Sequence, residues 1–173
     1  MDVSSAGSSF SDFSPISMPM GIQKEIAVAV TWSESLDDID WNELEALYRQ
    51  APLGDKTAAI LQTVFTNSRY RCFASEGGRL VAAGRALADG ADCSYVCDVA
   101  VLPSHQGRGI GKELVSKLVE LSRGHKKIIL YAVPGKEGFY RKFGFLRLLT
   151  AMAIFRNPAL GIEQGHLGEV SSS

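Results

Sequence analysis

A chain of 173 residues, 46% of them apolar and with a formal net charge of −1, has the length of a single domain and can bury roughly two-thirds of its unfolded surface. That balance offers no general attraction to nucleic acid or an anionic membrane, no apolar run approaches the ~20 residues that cross a bilayer, and no basic segment followed by an apolar core marks a secretory signal. Three cysteines (Cys72, Cys93, Cys97) without framework spacing point to reduced thiols in a cytoplasm-like compartment, and the scattered histidines assemble no metal set.

Residues 1–21 are rich in Ser, Pro and Gly and lack periodicity, so a flexible extension is expected there, with the folded domain over 22–157. Weak alternation predicts a first strand over 25–32. Asp40 is the expected N-cap of a helix whose apolar face is Trp41, Leu44, Leu47 and Tyr48, ended by Pro52 and Gly54. A second helix is predicted over 56–65, with Ala59, Ile60, Val64 and Phe65 inward. Strands at 70–75 and 79–88 flank Gly77-Gly78, a hairpin signal. A strand at 95–102 then meets Pro103. After a glycine loop, Leu114, Val115, Leu118, Val119 and Leu121 recur at three and four residues, predicting a helix that Gly124 stops. A strand over 128–132, a short helix around Tyr140, and strands at 145–149 and 151–155 are expected to close the sheet, leaving a frayed tail from 157 or 158 to 173. The result is a mixed α/β sheet in one domain.

The loop between the strand at 95–102 and its following helix carries the chemistry. Gly107, Gly109 and Gly111 alternate just before the helix begins. Glycine lets backbone approach an anion, the first-turn N–H groups have no partner inside the helix, and the helix dipole favours negative charge at that end. Arg108 and Lys112 place positive charge where phosphates would sit. A nucleotide P-loop is excluded by Gln106 at its first glycine position and Glu113 at its hydroxyl position. A dinucleotide fingerprint fails because one residue, Ile110, separates Gly109 from Gly111 where two are needed.

Gln106-Gly-Arg-Gly-Ile-Gly111 does resemble the Gln/Arg-x-x-Gly-x-Gly/Ala signature of the GNAT N-acetyltransferase superfamily. Downstream, Phe139-Tyr-Arg-Lys-Phe-Gly-Phe145 resembles that family's second motif, in the right order and at the right distance. The similarity covers roughly 70–155. It implies the GNAT fold, a mostly antiparallel sheet splayed at the cofactor site with flanking helices. It also implies acetyl-CoA as the acetyl donor, with no metal. By motif position Val99, Ala100, Val101, Gln106, Gly107, Arg108, Gly109, Ile110, Gly111, Lys112, Phe139 and Lys142 would bind the cofactor. Tyr140 would be the acid that protonates the departing thiolate, a phenol of pKa near ~10 being matched to a thiol.

Asp98, in the strand ahead of the loop, is the candidate that holds a substrate ammonium or passes on its proton, set against a structural acid satisfied by backbone or a basic neighbour. Aminosugar members carry a second acid just before it, where this chain has Cys97. The segment from Asp98 to Lys112 is similar to arylalkylamine (serotonin-type) acetyltransferases. The resemblance implies an acceptor pocket from the first helices and late strands, which makes Trp32, Trp41, Leu53, Phe65, Tyr131 and Met152 candidate acceptor-site residues whose apolar character favours an aryl or aliphatic amine. The expected reaction is acetyl transfer to a small primary amine, with a peptide acetyltransferase and a non-catalytic acetyl-CoA sensor as alternatives. The resemblance admits a homodimer through the late strands, of which the sequence itself has no independent sign.

Overall fold

The computed structural model describes residues 29–51 and 53–168, so the expected N-terminal extension and residues 25–28 of the first strand lie outside the described residues. Among the described residues, five strands form one sheet in chain order: β1 (Val30–Ser33), β2 (Tyr70–Glu76), β3 (Arg79–Ala88), β4 (Cys93–Val101) and β5 (Lys127–Ile129). The first four pair antiparallel, and β5 joins β4 in parallel. The helices are α1 (Trp41–Gln50), α2 (Ala58–Thr66), α3 (Ile110–Leu121), α4 (Glu137–Arg141) and α5 (Pro158–Glu163).

Local chemistry sets the element ends. Asp40 caps α1, its carboxylate accepting from the N–H groups of Asn42 (2.8 Å) and Glu43 (3.3 Å). Thr57 caps α2 through the N–H of Ile60. That start turns Leu61 and Phe65, one turn apart, into the core, and leaves Ile60 47% exposed, so the expected inward pair Ala59 and Ile60 faces out. Gly77 and Gly78 both have positive φ (58° and 79°), as a two-residue hairpin turn requires.

The sheet buries both faces. On one, Leu44, Leu47 and Tyr48 of α1 and Leu61 and Phe65 of α2 pack on Phe73, Ala83 and Ala100. On the other, Ile110, Leu114 and Leu118 of α3 pack on Cys72, Ala74, Ala82, Ala86 and Val96. Cys72, Phe73 and Ala74 thus point alternately to opposite cores.

That alternation breaks once, in β4. Val96 faces α3 and Ala100 faces α1 and α2, while Val99 and Val101 pack beside the α3 core. Val96 and Ala100 are four positions apart, an even offset that in a regular strand would put both on one face, so one residue between them is extra. The β3–β4 register shifts between Ala83 and Arg85, opposite Cys97 and Ala100, and Asp98 sits there with φ of 53°, the one non-glycine residue at positive φ among those described.

Three late expectations are corrected. Residues 145–149 and 151–155 form no strand, and Leu146, Leu149, Met152 and Ile154 are 80% exposed or more. The strand expected over 128–132 is Lys127–Ile129, a three-residue edge that offers little ladder to extend. The tail is not frayed throughout. Asn157 caps α5 by accepting from the N–H of Leu160 (3.1 Å), Pro158 occupies the first turn, and Gly161 is buried so closely that a Cβ would lie 2.9 Å from Leu167.

Helix α3 sits directly on Gly84, where a Cβ would lie 3.0 Å from Leu118 Cδ1 and 3.5 Å from Leu114. Gly84→Val is expected to cost about 1–3 kcal/mol in denaturant unfolding through overpacking. A stability equal to that of the unsubstituted protein would mean that α3 is not seated there.

Candidate functional site

The site begins where two strands part. β4 and β5 pair over only three residues each, Cys93 with Lys127, Ser94 with Ile128 and Tyr95 with Ile129. From Val96 to Val101, β4 therefore continues with no strand on that side among the described residues. Its backbone groups there are a strand edge open to an extended ligand, the geometry in which main-chain pairing gives affinity without side-chain contacts.

The glycine loop lies at the end of that edge. Leu102 donates its N–H to Val81, and a 3₁₀ turn over Pro103–His105 follows. Gln106 Nε2 then donates to the Val101 carbonyl at 3.1 Å, tying the loop to the last residue of β4. Gly107 and Gly109 have φ of 76° and 87°, and Gly109 is the N-cap of α3 with no side chain to cap it. Among the described residues, the N–H groups of residues 107 to 112 donate to no protein acceptor. A Cβ built on Gly107 or Gly109 would point into open space, so their conformation, not crowding, requires glycine. Gly111 is different: its Cβ would lie 3.4 Å from Val101 and 3.9 Å from Phe139. Here α3, β4 and α4 meet, bringing the second motif against the first.

The row of free donors at a helix N-terminus fits a pyrophosphate, and the open β4 edge fits the amide-bearing arm of coenzyme A. Several expected contacts are reassigned. Ile110 and Ala100 are buried, with side chains in the α3 core and the α1–α2 core, so only their backbone can meet a ligand. Arg108 is not free to meet phosphates; both its terminal nitrogens bond Glu76. Lys112 and Lys142 are exposed cations in no ion pair among the described residues.

Tyr140 lies on α4, its ring edge-on to Phe139 (5.0 Å between centroids) and Phe145 (6.2 Å). Burial in this aromatic nest raises its phenol pKa above the usual value, so it stays protonated through neutral and moderately alkaline pH.

Asp98 is placed differently from a free base. Its carboxylate is taken by Arg85 (Nε to Oδ2, 2.6 Å) and Lys56 (Nζ to Oδ1, 3.1 Å) with its side chain 13% exposed. The Tyr48 hydroxyl donates to its carbonyl. Arg85 is held in turn by the Ser68 hydroxyl, and Lys56 by the Leu53 carbonyl. An incoming ammonium would have to displace one of two anchored cations. The arrangement ties the extra residue of β4 to β3 and to the α1–α2 connection, which is a positioning task.

The expected acceptor residues also separate. Phe65 is fully buried, Trp32 packs beside the α3 core, and Trp41 and Leu53 pack on the α1–α2 core. Met152 is 84% exposed. Tyr131 remains available: it stacks on Tyr95 (6.2 Å, 20° between planes) and is 62% exposed. An open concavity of about 410 Å³ lined by Tyr95, Leu87, Asn67 and Asp89 lies on the same strand ends. Cys97 lies between Tyr95 and Asp98; burial pushes its thiol up to about 11, which makes it a weak nucleophile at neutral pH. Glu76 and Arg85 escaped sequence reasoning because their partners are far away in the chain, and no local pattern reports such pairs.

The sequence model described as the acetyltransferase (GNAT) family matches residues 33–145. A chloroplastic serotonin N-acetyltransferase of Oryza sativa subsp. japonica is 42% identical over 88 residues, covering 48% of this chain and 44% of that protein. A histone acetyltransferase of Glycine max is 34% identical over 121 residues, covering 62% of this chain and 52% of that protein. The chain thus spans about half the length of these curated relatives. A GNAT-family acetyltransferase structure from Streptococcus pneumoniae superposes with a TM-score of 0.61 at 24% identity, covering 75% of this chain and 99% of that one.

Two substitutions probe this geometry. Gly109→Val puts a β-branched side chain at φ of 87° and into the cradle, and is expected to weaken coenzyme A binding by about a hundredfold at a stability cost of about 1–2 kcal/mol. Unchanged affinity in a calorimetric titration would contradict the cradle. Asp98→Asn keeps a residue that tolerates left-handed backbone and leaves Arg85 and Lys56 unpaired, so it should lower unfolding stability by about 3 kcal/mol. Wild-type stability combined with lost turnover would return Asp98 to the role of base.

Proposed function

The chain belongs to the GNAT acetyltransferase family, and from that premise we propose that it moves the acetyl group of acetyl-CoA to a small primary amine bearing an aryl or other apolar group. The observation that carries the cofactor reading is the unbroken row of unpaired N–H groups from 107 to 112, set at the end of an unpaired strand edge.

Acetyl-CoA supplies an activated thioester when bound. The residues that serve it divide as follows. The backbone of residues 107 to 112 holds the pyrophosphate, with Lys112 adding charge from the first turn of α3. The β4 edge over Val99 to Val101 pairs with the arm and orients the thioester carbonyl, and a backbone N–H there polarises it. Phe139 closes the floor against Gly111. Tyr140 delivers a proton to the sulfur as the carbon–sulfur bond breaks, and recovers it from solvent. The amine attacks in its neutral form and gives up its second proton to water. Asp98 contributes by fixing the bulge that aims β4.

The finer reading, an aryl acceptor, rests on the stack of half-buried Tyr95 with Tyr131, which is 62% exposed. Along a strand, Tyr95 and Asp98 are about 10 Å apart, so a ring resting on Tyr95 would leave its alkylamine near the bulge. Stacking on such a pair contributes about 1 kcal/mol beyond the area it buries. Lys56 and Arg85 against one carboxylate leave that side of the bulge net positive, which favours delivery of the amine uncharged.

Tyr140→Phe should reduce kcat by about a hundredfold or more while leaving the KM for acetyl-CoA within about twofold. In the unsubstituted enzyme, kcat should rise from pH 7 to 9 as the amine loses its proton. It should fall only above the ordinary phenol range, because the Tyr140 pKa is raised and the acid is lost as pH climbs through it. Turnover that survives Tyr140→Phe at every pH would remove Tyr140 as the acid. The acceptor is read by thiol release against tryptamine, phenethylamine, polyamines, glucosamine 6-phosphate and a lysine peptide. Turnover with the arylalkylamines supports the acceptor reading, and turnover confined to the peptide or the sugar contradicts it.

A further inference from the structure

Outside the groups assigned above, one charged cluster touches the glycine loop without any role. Glu76 ends β2 immediately before the Gly77-Gly78 turn, and its side chain is 19% exposed. One carboxylate oxygen accepts from Arg108 Nη2, and the other from Arg108 Nη1 at 3.1 Å. His105 Nε2 lies 2.9 Å from that second oxygen, and His105 Nδ1 lies 2.8 Å from the Ser104 hydroxyl. A neutral ring with its proton on Nε2 satisfies both contacts, and a charged ring strengthens the first.

These contacts cross from one hairpin to another part of the sheet. Glu76 and Arg108 are 32 positions apart, yet they join the end of β2 to the middle of the glycine loop. The inner side of the loop has its own tether, Gln106 to the Val101 carbonyl. Between and beyond the tethers lie Gly107 and Gly109, the two residues with the most conformational freedom to lose when an anion fixes the loop.

We propose that Glu76 is a positioning residue for the cofactor: through Arg108 and His105 it clamps the glycine loop to the end of β2, so that the N–H groups of residues 107 to 112 converge before the pyrophosphate arrives. This rests on the reading of the loop as a pyrophosphate cradle. A competing effect has the opposite sign. The carboxylate occupies Arg108, and its removal would free a cation for the phosphates. Ordering outweighs that gain, because Arg108 is 45% exposed and acts through water, whereas every one of the backbone donors depends on the loop conformation. The forked, two-point contact of a guanidinium with a carboxylate also fixes direction, which a single ion contact does not.

The test is calorimetric titration of the full chain with coenzyme A, with thermal unfolding of each variant measured without ligand. Glu76→Ala is expected to weaken binding about tenfold, Glu76→Gln to recover part of that through its remaining carbonyl oxygen, and the loss to fall on the KM for acetyl-CoA and not on kcat. Arg108→Ala should weaken binding by a similar factor. The double variant should be no more than about twofold worse than the weaker single, since both cut the same tether. Affinity in Glu76→Ala equal to or tighter than that of the unsubstituted protein overturns the proposal, tighter binding meaning that Glu76 withholds Arg108. A lowered unfolding temperature with no change in affinity also overturns it, leaving Glu76 a hairpin residue. Binding by the unsubstituted protein with none of these shifts in the variants sinks the clamp alone, while no binding by the unsubstituted protein sinks the cradle reading and the clamp together.

Discussion

The Asp98 carboxylate, held between Arg85 and Lys56, is the constraint on which the arrangement of the site depends. Without it, the extra residue of β4 has no reason to persist. A non-glycine residue at φ of 53° is strained by about 1 kcal/mol or more, and β4 would gain ladder contacts by straightening. Breaking a largely buried pair by removing one partner costs about 3–5 kcal/mol, enough to overrule that strain. The Tyr48 hydroxyl adds a bond to the same residue's carbonyl, which fixes the backbone as well as the side chain. From this point the alternation of β4 reverses, Ala100 turns to one core while Val99 and Val101 turn to the other, and the strand leaves β5 behind after Tyr95.

At the glycine loop the outward-facing polar groups are mostly backbone. The side chains of the glycine motif have other occupations: Ile110 fills the α3 core, Gln106 ties the loop to β4, and Arg108 is engaged with Glu76. What is left facing outward is peptide N–H. On the proposed reading, these N–H groups and not the side chains of the motif would meet the pyrophosphate. The chemistry on that reading then falls to the few side chains that remain: Tyr140 in its aromatic nest and the Tyr95–Tyr131 stack.

Most of the first 125 residues' architecture within the described region could be read locally. Asp40 signalled the start of α1, the Gly77-Gly78 pair signalled its hairpin, and the spacing of Leu114, Val115 and Leu118 signalled α3. Each is a short-range preference that tertiary packing did not contest. The late chain was harder. Leu146, Leu148, Leu149, Met152 and Ile154 give an apolar pattern, but apolar pattern reports a tendency to be buried and says nothing of a ladder partner; the three-residue β5 offers almost none. Helix α5 does have a local signal, Asn157-Pro158, a cap followed by a first-turn proline. A structural Asp98 with a basic neighbour was one of two readings the sequence left open, but the partners of Asp98 and Arg108 were not legible, because Arg85, Lys56 and Glu76 lie far from them in sequence.

The most direct measurement is a backbone amide NMR titration of the protein with coenzyme A and, separately, with pantetheine, which has the same arm and no pyrophosphate. The account predicts that coenzyme A shifts the amides of residues 107 to 112 together with those of Val96 to Val101, and that pantetheine shifts only the second group. Coenzyme A shifts centred elsewhere, or a pantetheine pattern identical to that of coenzyme A, would contradict the assignment of the glycine loop to the pyrophosphate.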